Sequence, residues 1–218
     1  MSNSRESQEI KYLEVINDEK LSWKKHIEEK NKKGTKVLNM VRRNLYFAPK
    51  EVKQTAYIST VRPILEYGSS VWSPNSEQLK DKIEVVQNNA AKFVLNRYPK
   101  KKNHWEQSSS ALVEELGWDT LEWRRIKSRC CMAYNIINGH TLLQPDLLTR
   151  HPHAATARRP VRGCQEPTVG LKHQLVVPPT KTKSYEESFF ISTPEVWNRY
   201  VTPAAAAAPS IDSFKAQF

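Results

Sequence analysis

The chain has 218 residues, enough to bury a substantial hydrophobic core in one large domain or two small ones. Lysine and arginine (34) outnumber aspartate and glutamate (23), and the net charge of +11 favours a polyanionic partner, either nucleic acid or an anionic membrane surface. No apolar run approaches the ~20 residues of a membrane span. Residues 1–9 show no secretory signal, and three cysteines make no disulfide framework. We therefore expect an intracellular protein, nuclear or cytoplasmic. Of the two polyanions we expect nucleic acid as the partner, and no membrane.

Residues 1–22 predict a small β element. The segment from Ile10 to Ile16 alternates weakly between apolar and polar side chains and predicts one strand. A turn is expected at residues 17–20, with a short return strand at residues 21–23. An isolated hairpin is only marginally stable in water, so we expect this piece to be the edge of a larger sheet.

A long amphipathic helix is predicted from Trp23 to Leu45, interrupted by Gly34 at a cost of ~1 kcal/mol relative to alanine. Its apolar side carries Ile27, Val37, Leu38, Val41 and Leu45. Its other side carries cations, namely Lys24, Lys25, Lys30, Lys32, Lys33, Lys36, Arg42 and Arg43. Such one-sided charge favours a surface that contacts a polyanion, and the alternative is a merely solvated charged face.

The run from Pro49 to Trp72 predicts a kinked and mostly buried helical element. Pro49 suits a first helical position, Pro63 should bend or end the helix, and Gly68 is expected at a bend. A stripe of small and branched residues follows one side at helical spacing: Val52, Ala56, Ser59 and Thr60.

Three further helices are predicted between residues 77 and 138. The first, Glu77 to Tyr98, places six apolar residues on one side: Leu79, Ile83, Val86, Ala90, Phe93 and Val94. It ends beside a basic cluster of Arg97, Lys100, Lys101 and Lys102. A short helix is expected to be capped by Ser108 or Ser109 and to end at Gly117. The last helix runs from a Thr120 cap to Gly139.

Residues 141–218 predict an irregular, basic and proline-rich tail, since regular periodicity is lost there. Four potential metal ligands lie in it: His151, His153, Cys164 and His173. Their spacing matches no zinc module, so solvated histidines are the preferred interpretation over a metal site. Cys130 and Cys131 predict one buried and one half-buried thiol, without a histidine base nearby in sequence.

Several short sequence motifs resemble motifs of a known family, and they occur along the chain in the same order as in that family. The most specific reads Val-Arg-Pro-Ile-Leu-Glu-Tyr-Gly-Ser-Ser-Val-Trp, from Val61 to Trp72. The others are Ala56-Tyr57, Tyr12-Leu13-Glu14-Val15, residues 21–27, segments within 86–98 and 116–139, Ser188-Phe189-Phe190, Trp197-Asn198 and Ser213-Phe214-Lys215. Together they resemble the reverse transcriptases of LINE-type, jockey-like non-LTR retrotransposons, in the region after the catalytic palm. The chain departs from that pattern at Glu14, where the family has glycine, and after Trp197-Asn198, where the family has Leu-Pro.

The resemblance implies a mainly α fold, a thumb-like helical bundle with a small N-terminal hairpin and an irregular C-terminal tail. Its parts would be a palm-edge strand at 1–22, a thumb and connection region at 23–140, and the tail at 141–218. The full-length family enzyme uses Mg²⁺ held by adjacent aspartates. No adjacent Asp-Asp occurs in this chain, so we expect no polymerase activity from it alone and assign no catalytic residue, cofactor or metal ligand.

In the family, thumb helices follow the minor groove of the template–primer duplex. The resemblance therefore implies non-sequence-specific binding to RNA and to RNA–DNA or DNA duplex, and the palm and fingers would be a further partner. The residues predicted to bind nucleic acid are Lys24, Lys25, Lys32, Lys33, Lys36, Arg42, Arg43, Arg97, Lys100, Lys101 and Lys102. The alternatives are a helical protein–protein interaction module, a domesticated remnant, or a decayed element without a selected function.

Overall fold

The computed structural model describes residues 10–17, 23–74, 76–97, 109–148, 173–179, 182 and 188–218. Within these ranges the chain is mainly helical with a small N-terminal hairpin, which confirms the predicted fold class. The chain divides into two compact units, Met1–Arg125 and Ile126–Phe218. This division differs from the predicted boundaries after residues 22 and 140. The hairpin belongs to the first unit because Val15 lies in its core.

The hairpin pairs β1 (Ile10–Tyr12) with β2 (Val15–Asn17) in antiparallel register, with Tyr12 opposite Val15. Its turn consists of Leu13 and Glu14, which have φ of +45° and +63°. Two-residue hairpin loops with positive φ at both positions match the right-handed twist of the flanking strands. The prediction of one continuous strand followed by a turn at 17–20 is therefore wrong for the described residues, because Asn17 is part of β2.

The first unit is built on α1 (Lys24–Asn44), which packs mainly against α4 (Glu77–Val94) and α3 (Arg62–Glu66). The predicted apolar side of α1 is confirmed, with Ile27, Leu38 and Val41 buried. The helix α5 (Ser109–Glu115) packs on α4. It ends at Gly117, whose φ of +64° confirms the expected left-handed residue after this helix.

The Pro49–Trp72 element consists of α2 (Lys50–Ala56), a π-helical turn (Tyr57–Val61) and α3. The helix does not end at Pro63, although a proline ring meets the carbonyl of the residue four positions before it. The wider π-helical turn lies just before the proline and accommodates this conflict. The Thr60 hydroxyl donates to the Ala56 carbonyl at 2.6 Å, and Ser59 donates to Thr55 at 2.8 Å. Gly68, with φ of +71°, makes the predicted bend.

The buried side of this element is not the one that its small residues suggested. Val52, Ser59 and Thr60 are exposed. The side that faces the core consists of Lys53, Tyr57, Val61, Arg62 and Leu65. The element is therefore half-buried, and its core side includes two cations, Lys53 and Arg62, that lie over aromatic rings.

The helix α6 (Leu121–Ile137) begins after Thr120, whose hydroxyl accepts a hydrogen bond from the Trp123 amide as predicted. It ends at Gly139, where the His140 amide donates to the Asn135 carbonyl at 2.8 Å. Its residues from Ile126 onward belong to the second unit, where Cys130 and Tyr134 are buried.

The second unit also contains α7 (Phe189–Tyr200), α8 (Pro203–Ala206) and α9 (Ile211–Gln217). The prediction of an irregular tail is therefore wrong for residues 188–218. Trp197 and Phe214 stack with ring centroids 5.7 Å apart, and the Tyr134 hydroxyl donates to the Ala208 carbonyl at 2.6 Å. The alanine run forms a single turn too short to be stable alone. Ala205 and Ala206 are buried in the core of this unit.

Candidate nucleic-acid interface

The exposed side of α1 carries a row of cations along its length. Lys25, Lys32, Lys36 and Arg43 follow one another at intervals of seven, four and seven residues. Seven residues make two helical turns and four make one, so these side chains lie on one side of the helix over about 27 Å. Because the opposite side is buried in the core, the row faces solvent.

The remaining predicted cations of α1 flank this row. Lys24 and Lys33 are exposed, and Arg42 is half-buried. Lys33 lies on the hairpin side, where Lys11 lowers the pKa of Glu14 and burial lowers that of Lys30, and the charge of Lys33 adds a smaller decrease to both. The helix has two acidic residues. Glu29 lies 3.9 Å from Lys32, and Glu28 lies 3.9 Å from Lys82 of α4, so each acid is already placed against a cation.

Lys30 does not belong to this exposed face, although the sequence places it among the cations of the helix. Its side chain is buried over the ring of Tyr67, with the ammonium nitrogen 4.8 Å from the ring centroid. Burial lowers the pKa of the Lys30 ammonium, and the neighbouring Lys33 lowers it further. Lys30 therefore packs α1 onto the end of α3 and is removed from the candidate interface.

A shallow depression of about 630 Å³ lies along the last turns of α1. Five residues of this helix and its C-terminal end line it: Lys36, Asn39, Arg42, Arg43 and Tyr46. Three of them are predicted binding residues, and the structure brings them together. Asn39 was not among the predicted site residues, and the sequence suggested Tyr46 only as a ring beside the cations that could stack on bases. Their spacing from Lys36 and Arg43, in steps of three and four, was the sequence signal for them.

Arg97 lies apart from the α1 row at the end of α4. Its guanidinium donates two hydrogen bonds, of 2.6 and 3.0 Å, to the carboxylate of Glu115 in α5. This bidentate pair joins the ends of two helices and already engages the cation. Lys100, Lys101 and Lys102 lie outside the described residues, so the basic cluster predicted beyond α4 stays a prediction.

A buried polar cluster holds the helices beneath α1 in place. The Tyr57 hydroxyl donates to Gln87 at 2.9 Å, and the Gln87 amide donates to the Asp119 carbonyl at 3.0 Å. The ring of Tyr57 stacks on Trp118 with centroids 4.6 Å apart, and the Arg62 guanidinium lies over both rings. These contacts tie the π-helical turn and α3 to α4 and to the segment after α5.

Two other kinds of site were considered from the sequence, a metal site and a reactive thiol. Among the described residues, no three His, Cys, Asp or Glu side chains are grouped as metal ligands. His151, His153 and Cys164 lie outside the described residues, and the carbonyl of His173 accepts a hydrogen bond from Trp197. Cys130 is buried and Cys131 half-buried, as predicted. Burial raises the pKa of Cys130 to about 12 and also raises that of Cys131, which makes both thiols poor nucleophiles.

Among the described helices, none has both the length and the apolar character needed to cross a membrane. Comparison of the chain with protein-family models, with curated proteins and with solved structures finds no match. The resemblance to retrotransposon reverse transcriptases therefore stays a prediction that rests on the phrases given above.

Proposed function

We propose that this chain corresponds to the thumb and C-terminal region of a LINE-type reverse transcriptase and binds RNA and RNA–DNA or DNA duplex without reading sequence. The observation that supports this most is the row of exposed cations on α1, opposite a buried apolar side. Cations spaced along a straight helix contact successive phosphates of a nucleic-acid backbone, and such contacts position a duplex without specifying its sequence.

The hairpin supports the same proposal from another direction. In β1, Ile10 and Tyr12 remain 65% and 68% exposed. β1 is hydrogen-bonded to β2 along one side, and two strands alone make a marginally stable sheet. An exposed apolar edge strand is a template for further pairing, which fits the proposed place of this hairpin at the edge of a palm sheet. Residues of the palm would supply the Mg²⁺ ligands, and the proposal assigns no catalytic role to this chain.

Fluorescence anisotropy of a labelled RNA–DNA duplex, titrated with the purified chain over a series of salt concentrations, tests the proposal. We expect log Kd to depend linearly on log salt concentration, with a slope set by the number of phosphate contacts. A variant with Lys32→Glu, Lys33→Glu and Lys36→Glu should bind at least about 10-fold more weakly and lower the slope by about 3.

The matched control reverses three cations that are not part of α1, with Lys92→Glu, Arg199→Glu and Lys215→Glu. Both triple variants have the same net charge, so a general charge effect would weaken them equally. Equal weakening, or salt-independent binding by the folded chain, would contradict the proposal. A protein–protein interaction module would then be the better interpretation.

A further inference from the structure

Two aromatic side chains stand exposed at the end of the cationic row on α1. Phe47 is 95% exposed and Tyr46 is 58% exposed, and their rings meet edge to face with centroids 4.9 Å apart. Phenylalanine is among the residues most often fully buried in proteins. A phenylalanine ring exposed this fully is therefore a feature that the packing of this unit does not explain.

The backbone presents these rings in a defined way. The Leu45 amide donates to the Val41 carbonyl at 2.9 Å, which closes the last turn of α1. The Ala48 amide then donates to the Leu45 carbonyl at 3.1 Å, so Tyr46 and Phe47 occupy the two central positions of a tight turn before α2. Such positions usually carry Gly, Asn, Asp, Ser or Pro. Here they project two rings outward.

The surroundings of the turn are cationic. Tyr46 lines the depression on α1 together with Lys36, Asn39, Arg42 and Arg43. Exposed aromatic rings next to a track of cations are the combination that binds single-stranded nucleic acid, because the rings stack on bases while the cations hold the phosphates. Paired bases inside a duplex are already stacked on their neighbours and do not present their faces.

We propose that the Tyr46–Phe47 turn is a stacking site for unpaired bases, so that α1 binds the junction of a duplex with a single-stranded segment. The inference rests on the proposed function for the phosphate contacts and adds the chemical class of ligand at the end of the row. The cations of α1 hold the backbone, and Phe47 with Tyr46 stacks on one or two bases beyond the last base pair.

The experiment compares three labelled probes on the full chain at one salt concentration: a blunt RNA–DNA duplex, the same duplex with a six-nucleotide single-stranded overhang, and that overhang made entirely of abasic units. The unmodified chain should bind the base-containing overhang more tightly than the other two. Phe47→Ala should weaken binding to this probe by about 5- to 100-fold, and leave binding to the blunt and abasic probes unchanged.

Two further substitutions distinguish stacking from ordinary hydrophobic contact. Phe47→Trp keeps a flat aromatic face and should retain or improve the preference for the overhang. Phe47→Leu keeps apolar bulk without a π face and should lose that preference. Val85→Ala, at an exposed position of α4, is the matched control and should have no effect.

Equal binding to the base-containing and abasic overhangs would overturn the stacking site. A Phe47→Leu variant that keeps the full preference for the base-containing overhang would overturn it as well. Either result would leave the phosphate contacts of α1 intact if the salt dependence of duplex binding persists. A loss of that salt dependence would overturn the proposed function itself, so the two failures are distinguishable.

Discussion

His26 is a buried histidine that links α1 to the hairpin. It is 1% exposed, its Nδ1 accepts a hydrogen bond from the Ile16 amide at 3.2 Å, and its ring meets Trp72 edge to face at 4.8 Å. Burial, and then the charge of Lys30, lower the pKa of His26 from 6.5 to about 4. The imidazole is therefore neutral in the folded protein, with the proton on Nε2.

The stability of the first unit should depend on pH through His26. The folded pKa lies below the unfolded value of 6.5, so the contribution of His26 is complete above pH 6.5 and is lost as the pH falls toward 4. Between pH 7 and pH 5 we expect the free energy of unfolding of the first unit to fall by about 2 kcal/mol through this group. Urea denaturation at both pH values, followed by tryptophan fluorescence, measures it.

The control for this prediction is His26→Gln, which keeps a buried polar side chain but does not titrate. The variant should be less stable than the unmodified chain at pH 7 and should lose much less stability between pH 7 and pH 5. An equal pH dependence in both proteins would show that other groups, and not His26, cause the loss.

At the scale of elements, the approach of α1 to α3 depends on a single residue. Gly34 lies on the buried side of α1, and a Cβ atom there would stand 2.8 Å from Leu65 Cδ2 and 3.6 Å from Val86 Cγ1. Gly34 thus allows α1 to lie close against α3 and α4. The glycine that costs the helix ~1 kcal/mol relative to alanine therefore makes room for the buried side chain of Leu65.

We therefore expect Gly34→Ala to destabilise the first unit by about 1 kcal/mol, although alanine is the better helix former. The gain in helix propensity is ~1 kcal/mol, and the overpacking of a buried site costs about 1–3 kcal/mol. Thr35→Ala is the matched control, since Thr35 is exposed on the same helix and alanine there should stabilise by a few tenths of a kcal/mol. Denaturation midpoints compare the two, and a stabilised Gly34→Ala would contradict the close packing.

The helices of the first unit could be predicted because their apolar residues repeat at three and four positions, as α1 and α4 demonstrate. The buried side of α2 and α3 could not. Its members include Lys53, which donates to Asn96 at 2.6 Å and lies over the Phe93 ring, and Arg62, which lies over Tyr57 and Trp118. These partners are far away in sequence or on other elements. A local pattern therefore assigns such cations to the surface.

The candidate site was predictable where it depends on local sequence and not where it depends on distant partners. The one-sided charge of α1 is a local property, so the exposed cations of the row were found from the sequence. Lys30 was misplaced because its partner, Tyr67, comes from the end of α3. The turn at Leu13 and Glu14 was missed because neither residue is the glycine or asparagine that usually marks positive φ.

At the scale of the whole molecule, each unit has its own hydrophobic core. The core of the first unit contains residues from Val15 to Leu121, and that of the second contains residues from Cys130 to Phe214. No described residue belongs to both. Phe93 and Phe214 are each completely buried in their respective cores.

We expect the two units to unfold in separate transitions. Phe214→Ala removes a ring that stacks on both Tyr134 and Trp197, and should cost the second unit about 3–5 kcal/mol. Phe93→Ala should cost the first unit a similar amount, since its ring is equally buried. In differential scanning calorimetry each variant should lower one transition temperature and leave the other within error of the unmodified chain.

The same pair of variants connects stability to binding. If α1 is the nucleic-acid surface, the Phe214→Ala chain should still bind an RNA–DNA duplex at a temperature where its second unit has melted, whereas Phe93→Ala should lose binding when the first unit melts. A single transition that both substitutions lower equally would mean that the two units unfold as one cooperative system. Binding would then depend on the integrity of both cores, because neither unit would hold its structure without the other.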